Sequence, residues 1–313
     1  MIVNTLPIKL SLPDDFFNEE TRCDYVISKK MKEIWAVELD LLNEFQKVCK
    51  KYNLSYYADG GTLLGAIRHK GFIPWDDDID VIMKRDDYEK ICEIAQNEFK
   101  EPYFWQTEYS DPSSLRGHAQ LRNSNTTGIL SEEAEKKYKF NQGIFIDIFP
   151  IDAAPDNEED LTRLISKVEH NLTKARRLAR LTDRYTPSNN RLKYYIKGLV
   201  HKCLKGPAKK LSDYDKFYRR YEAECKSYNN KNTLRVAKYF HIPFLRKQIW
   251  MREDFDSTTD VPFETINISI PNGYERILDT FFGEWRTPVK ATSTHGGVIF
   301  DTRKSYIDYI KEM

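Results

Sequence analysis

Between Ile27 and Tyr52 the apolar positions Ile27, Met31, Ile34, Trp35, Leu41, Leu42, Phe45, Val48, Cys49 and Tyr52 recur close to every 3.6 residues. That spacing predicts an amphipathic helix ending at about Asn53. Leu54–Ala58 then reads as a short strand, broken by Gly60-Gly61, and Thr62–Arg68 as one or two helical turns. Ile79–Met83 is the next strand, and helical spacing returns over Arg85–Phe99 through Tyr88, Ile91, Cys92, Ile94 and Ala95. Stretches near Tyr103 and Gln120 and the run Gly143–Phe149, closed by Pro150, read as strands. Asp156-Asn157-Glu158-Glu159 opens a long helical region as a cap, with acid at the positive end of the helix dipole. It continues to about residue 252, with interruptions at 185–190 and at Gly206-Pro207. The tail alternates short elements with turns such as Pro271-Asn272-Gly273. The pattern predicts an α/β (α+β) fold, a mixed sheet flanked by helices, with an appended basic helical region.

Acidic residues are crowded into one of these strands. Residues two apart on a strand face the same side, so Asp78 and Asp80 project together while Ile79 and Val81 point to the core. Asp76 shares that parity but directly follows Pro74-Trp75, Asp77 is expected to face away, and Asp86 and Asp87 read as first-turn acids of the next helix. Two carboxylates on one face raise each other's pKa unless a cation lies between them. A hard divalent ion, Mg²⁺ (or Mn²⁺), answers that need with oxygen ligands from carboxylates and phosphates. Upstream, Gly60 and Gly61 let the backbone approach a phosphate, and the amides through Thr62 at a helix N-terminus favour an anion. Strand, twin glycine, short helix and a strand bearing Asp-x-Asp is the order in which a nucleotidyltransferase-type site is built. A third carboxylate is expected from a neighbouring strand, and Asp147 stands between Ile146 and Ile148, with Asp152 as the alternative. Arg68, beside His69 and Lys70, is either a phosphate ligand or a base matching a helix C-terminus. Arg122 is a further phosphate candidate, and Trp75 or Trp105 either stacks a base or packs in the core.

Charge divides the chain in two. Arg163–Arg252 holds 24 Lys and Arg against 6 Asp and Glu, which leaves the remainder with a net −17 beneath an overall +1. Within it, Arg191–Gly206 sets Leu192, Tyr195, Ile196, Leu199, Val200 and Cys203 on one face, with Lys193, Lys197, Lys202 and Lys205 around them. Such a helix lies on an anionic membrane, packs with a solvated basic face, or binds nucleic acid. Five scattered cysteines point to free thiols in a reducing compartment. No apolar run reaches the ~18 residues of a membrane span. The N-terminus lacks a signal-peptide core, so a cytoplasmic location is expected.

GGTLLGAIRHKGFIPWDDDIDVIM (Gly60–Met83) together with GIFIDIFPID (Gly143–Asp152) resembles the LicD family, bacterial phosphocholine transferases related to fukutin. The likeness is close over Tyr56–Tyr88, good over Gly143–Asp152 and recognisable over Pro271–Trp285. It implies a nucleotidyltransferase-like catalytic core at 1–160, a basic helical region at 161–255 and C-terminal elements at 256–313 that complete the catalytic domain. It further implies metal-dependent transfer of a phosphocholine-like group from a CDP-linked donor such as CDP-choline. The acceptor would be a hydroxyl of a cell-surface glycan, of lipopolysaccharide or teichoic-acid type, free or lipid-linked. Asp78 and Asp80 would bind the metal, while Asp147 completes the site or takes the acceptor proton. Gly60, Gly61, Thr62, Arg68 and Arg122 would meet the donor. The expected setting is the cytoplasm, with peripheral contact at the inner face of an anionic membrane and no nucleic-acid partner. Two other activities fit the residues: transfer of NMP to a small molecule, and nucleic-acid binding through the basic region.

Overall fold

A computed structural model of the chain describes residues 6–112, 114, 116–136, 138–182, 214–240, 242–289 and 297–313. After a small hairpin of β1 (Glu20–Arg22) and β2 (Tyr25–Ile27), the long helix α1 spans Lys29–Tyr52. Ser28 caps it by accepting the Met31 N–H at 3.2 Å, and Asn53 ends it in the left-handed conformation. Its apolar stripe, including Trp35, Leu41, Leu42 and Phe45, is fully buried, and each such side chain contributes about 1.5–3 kcal/mol. Next come β3 (Tyr57–Ala58), α2 (Gly60–His69), β4 (Asp80–Lys84) and α3 (Arg85–Glu98).

The central sheet runs β10–β9–β8–β4–β3, with β6 also on β8 and β5 beyond it. Its added strands are β5 (Tyr103–Gln106), β6 (Ala119–Asn123), β8 (Ile144–Ala154), β9 (Arg235–Ala237) and β10 (Ile249–Met251). β4 and β8 are parallel, whereas β6 and β9 are antiparallel to β8. Helices lie against this mixed sheet, as expected. Three readings differ from expectation. The helical region expected to run to about residue 252 instead supplies β9 and β10 to this sheet. Asp80 opens β4, so Asp76–Asp78 belong to the irregular approach rather than to the strand. β8 also runs through Pro150 instead of stopping there. Proline removes one donor, but pairing continues through Ile151 with β4 and from Asp152 onward with β9.

β7 (Thr127–Leu130) and β13 (Val298–Asp301) pair, and the hairpin of β11 (Thr258–Phe263) and β12 (Ile266–Pro271) adds its apolar face to the main core. The start of the basic segment folds on itself. In α4 (Glu158–Thr182), Leu161, Leu164, Val168 and Leu172 pack with Tyr218, Tyr221 and Cys225 of α5 (Tyr214–Cys225) in a second core. There the outward basic residues form a solvated face. Arg191–Gly206 lies outside the described residues, as do Cys203, His295 and Gly296. Among the described residues no helix is long and apolar enough to cross a membrane.

Candidate active site

Strand register assembles the site. In the parallel ladder Asp80 stands opposite Asp147, and on the other edge of β8 Asp147 stands opposite Gln120. Cross-strand partners share a face, so one row carries Asp80, Asp147 and Gln120. The apolar neighbours Ile79, Val81, Ile146 and Ile148 go into the core. Asp80 is held by its backbone: its N–H donates to Thr62 Oγ1 at 2.8 Å, and its carbonyl accepts from the Asp59 N–H at 3.0 Å. Thr62, expected at the donor, is therefore the peg that sets the start of β4 against α2.

The twin glycine meets this row of carboxylates. Gly60 has φ +49°, and a Cβ there would stand 3.8 Å from Asp80 Oδ2. A Cβ on Gly61 would come within 2.5 Å of Asp76 Oδ2, inside any real contact. At Gly61 only glycine leaves room for Asp76 over the N-terminus of α2, whereas at Gly60 the positive φ, not space, favours glycine. The N-cap Asp59 does not cap the helix with its side chain. Its carboxylate instead forms a buried ion pair with Lys238.

Asp147 is kept ionised. One oxygen accepts from Gln120 Nε2 at 2.6 Å and lies 2.8 Å from His118 Nε2. Burial pushes its pKa up, but the His118 ring, the Gln120 amide and the more distant Arg122 charge outweigh that and leave it below the ordinary carboxylate range. Behind them, Arg122 donates to Gln120 Oε1, to Gln106 Oε1 at 2.6 Å and to the Gly143 carbonyl at 2.7 Å, with its guanidinium over the Phe145 ring. Only 1% exposed, it is committed to protein acceptors; burial brings its pKa down to about 9. Arg122 thus orients Gln120, and through it Asp147, rather than reaching toward a donor.

Asp76, Asp77 and Asp78 each place an oxygen within 4.8 Å of the others, so Asp77 turns toward the group and not away. Enclosure, then the charges of Asp80, Asp76, Glu38 and Asp77, drive the Asp78 pKa well above its usual value. Like charges pressed together in this way, all with oxygen donors, suit a hard divalent cation.

Lys238 enters from the residue after β9. It is 6% exposed, its ammonium lies over the Phe149 ring at 4.3 Å, and it feels the charges of Asp59, Asp80 and Asp147. Burial lowers its pKa, but those carboxylates more than reverse the shift. Replacing Lys238 by Met should leave Asp59 buried and uncompensated, at a cost of about 3–5 kcal/mol. Urea unfolding would measure the loss, and Asp59→Asn/Lys238→Met should recover most of it.

Other expected residues lie elsewhere. Arg68 sits eight residues along α2 from Gly60, about 12 Å away, where it donates to the Trp285 carbonyl at 2.9 Å and to His69 Nε2 at 2.9 Å. It ties α2 to the C-terminal elements. His69 is half-buried, and burial followed by Arg68 and Arg22 lowers its pKa to about 4. Trp105 is core, stacked on Phe99 at 5.5 Å, and Trp75 packs edge-on against Tyr25 at 6.0 Å. Asp152 is the bidentate partner of Arg85, at 2.8 and 2.5 Å, on the part of β8 beyond the row. Four residues that sequence reasoning left unassigned line the site: Glu38, His118, Gln120 and Lys238. For His118 and Gln120 a signal existed, since HAQLRN alternates polar and apolar positions. For Lys238 the sequence offers only a single lysine between Ala237 and Tyr239.

Residues 53–173 match the family model described as LicD/FKTN/FKRP, nucleotidyltransferase domain. The chain is 27% identical over 260 residues to the lipopolysaccharide cholinephosphotransferase LicD of Haemophilus influenzae, a match covering 82% of this chain and 91% of that protein. Residues 53–173 are a LicD-family domain. An uncharacterised protein of Rickettsia prowazekii is 43% identical over 47 residues, 15% of this chain and 18% of that one. Asp76, Asp78, Asp80, Asp147, His118 and Gln120 all fall within the LicD domain, whereas Glu38 and Lys238 come from outside it, on either side.

Proposed function

We propose that this LicD-family protein is a phosphotransferase that moves a phosphocholine-like group from a CDP-linked donor, such as CDP-choline, to a hydroxyl of a cell-surface glycan precursor. The new P–O bond forms to the acceptor oxygen as the bond to CMP breaks, and the hydroxyl proton passes to solvent or a site base. The carrying observation is the paired carboxylates Asp80 and Asp147, side by side on parallel strands, with Asp78 and Asp76 at the N-terminus of the Gly60–Gly61 helix. The relative from Haemophilus influenzae is named for choline phosphate transfer and lipopolysaccharide, which supports both the group and the acceptor class.

One oxygen each of Asp76, Asp77 and Asp78 converges within 4.8 Å, and these donors, with Asp80 and Asp147 paired on the neighbouring strands, would suit Mg²⁺ or Mn²⁺. Such an ion would neutralise diphosphate charge and stabilise the leaving phosphate. Of the two roles expected for Asp147, the first is favoured, because a carboxylate with a depressed pKa is a good ligand and a poor base. His118, Gln120 and Arg122 hold that carboxylate in place. The helix N-terminus at Gly60–Thr62 offers amide dipoles to an anion.

The reading is tested by incubating the protein and Mg²⁺ with CDP-choline, CDP-ethanolamine, CDP-glycerol and CDP-ribitol, with and without envelope glycans. Glycan-dependent CMP release that a chelator abolishes is expected from at least one donor. A product carrying the nucleotide on the acceptor would instead identify an NMP transferase.

A further inference from the structure

The turn between β11 and β12 consists of Glu264 and Thr265, since Phe263 pairs directly with Ile266. The turn types that suit such a hairpin need a positive φ at the first position, where glycine, asparagine or aspartate is usual. Glu264 stands there at φ +52°, and its side chain is only 5% exposed although it sits at a hairpin tip. A residue in so sparsely populated a conformation is kept there by what its side chain binds. What it binds is the turn that leaves α2. The Glu264 N–H donates to the Lys70 carbonyl at 2.8 Å, and its Oε1 accepts from the Phe72 N–H at 3.1 Å. Arg22 of the β1–β2 hairpin holds the carboxylate with two hydrogen bonds, at 2.6 and 2.9 Å. Gly71, between the two gripped residues, has no room for a Cβ, which would overlap that carboxylate. Beyond the turn, the Phe72 ring stacks on Trp35 at 4.5 Å and packs against Phe263 at 5.0 Å. The Trp35 indole N–H donates to the Asp76 carbonyl at 2.9 Å, and the Asp76 N–H to the Ile73 carbonyl at 2.9 Å. The grip on Lys70–Phe72 is therefore continuous with the loop on which oxygens of Asp76, Asp77 and Asp78 converge.

We propose that Glu264 is a positioning residue for the aspartate loop. It fixes the turn at Lys70–Phe72 and, through the stack of Phe72 on Trp35, the main chain that presents Asp76, Asp77 and Asp78. The side chains that make this grip come from outside residues 53–173, Arg22 and Trp35 before them and Glu264 after. The C-terminal hairpin thereby sets how tightly the loop inside that domain holds a divalent cation. This consequence for the cation rests on the proposed function, whereas the positioning does not.

Hydrogen exchange of the full-length chain, read by mass spectrometry, tests the positioning with neither metal nor donor present. Glu264→Ala should speed exchange of the amides at 72–80 by roughly tenfold or more, while α3 and β6 exchange as in wild type. Glu264→Gln, which keeps an acceptor for the Phe72 N–H and nearly the same shape, should restore most of the protection. Gly71→Ala, which pushes on the same carboxylate from the other side, should reproduce the Glu264→Ala pattern. Because both changes break one contact, the double variant should be little worse than either single one. Titration with Mn²⁺, followed by the paramagnetic signal of the free ion well below the melting temperature, gives a second readout. Glu264→Ala should weaken binding by roughly tenfold or more, and Glu264→Gln by less. A carboxylate that only staples its own hairpin would lower the melting temperature and loosen β11 and β12 alone. Unchanged protection at 72–80 in Glu264→Ala overturns the inference, and faster exchange there with unchanged Mn²⁺ affinity overturns its consequence for the cation. A wild type that binds no Mn²⁺ refutes the metal in the proposed function, and the exchange at 72–80 decides the positioning regardless.

Discussion

Asp80→Asn is expected to lower CMP release by about 10²–10³-fold at saturating Mg²⁺, the usual scale for removing one fixed charge that stabilises a transition state. The substitution keeps the shape of the side chain. The backbone bonds that set Asp80, from its N–H to Thr62 and from its carbonyl to Asp59, do not involve the carboxylate. Removing one negative charge from beside Asp78 also relieves repulsion. Lost attraction to Lys238 offsets that relief, so melting temperature should stay near the wild-type value while turnover collapses, which separates a catalytic loss from a folding one. Turnover close to wild type under saturating Mg²⁺ would refute the metal assignment. Thr62→Val provides a contrast, since it removes the peg rather than the charge and should act through the position of β4.

Arg85→Met is expected to cost about 3–5 kcal/mol of stability, measured by chemical denaturation. Arg85 opens α3 and binds Asp152 through two hydrogen bonds, with both residues buried. Asn229 also donates to Asp152 at 2.7 Å and accepts from the Ala153 N–H at 2.7 Å. The pair thus joins α3, the end of β8 and the turn before β9. Removing the guanidinium strands a buried carboxylate, whereas replacing both partners by apolar residues of similar volume removes that penalty. Arg85→Met/Asp152→Leu should accordingly be much closer to wild type than Arg85→Met. If the double variant is as unstable as the single one, the loss comes from packing and not from the unpaired charge.

The two arginines expected at the donor show where local reading fails. Arg68 and Arg122 are both basic residues near glycine-rich or acidic motifs, and nothing local distinguishes a ligand-facing guanidinium from a committed one. Arg122 shares its strand face with Gln120, and that proximity in a dry interior makes it a brace. Arg68 is carried by helix rise to the end of α2 remote from the aspartates, where the Trp285 carbonyl receives it. Asp80 does lie on β4, but Asp76–Asp78 sit in the approach to that strand, where two-residue alternation does not govern side-chain direction. That is why Asp77 joins the group.

The sequence by itself determined α1 and its stop at Asn53, the mixed α/β class, the twin glycine before α2, and the family through Gly60–Met83 and Gly143–Asp152. Each is written in a short window, as a repeat or a motif whose physics acts between near neighbours. It also placed Asp147, because a charge inside an apolar strand needs a partner wherever it lies. Only the tertiary structure decided what surrounds those carboxylates. Lys238 meets Asp59 across 179 residues of chain, and the Trp35 indole reaches the Asp76 carbonyl from a helix that otherwise reads as core. Such contacts are set by strand register and helix docking, which depend on the burial of the whole core and leave no local trace in the chain.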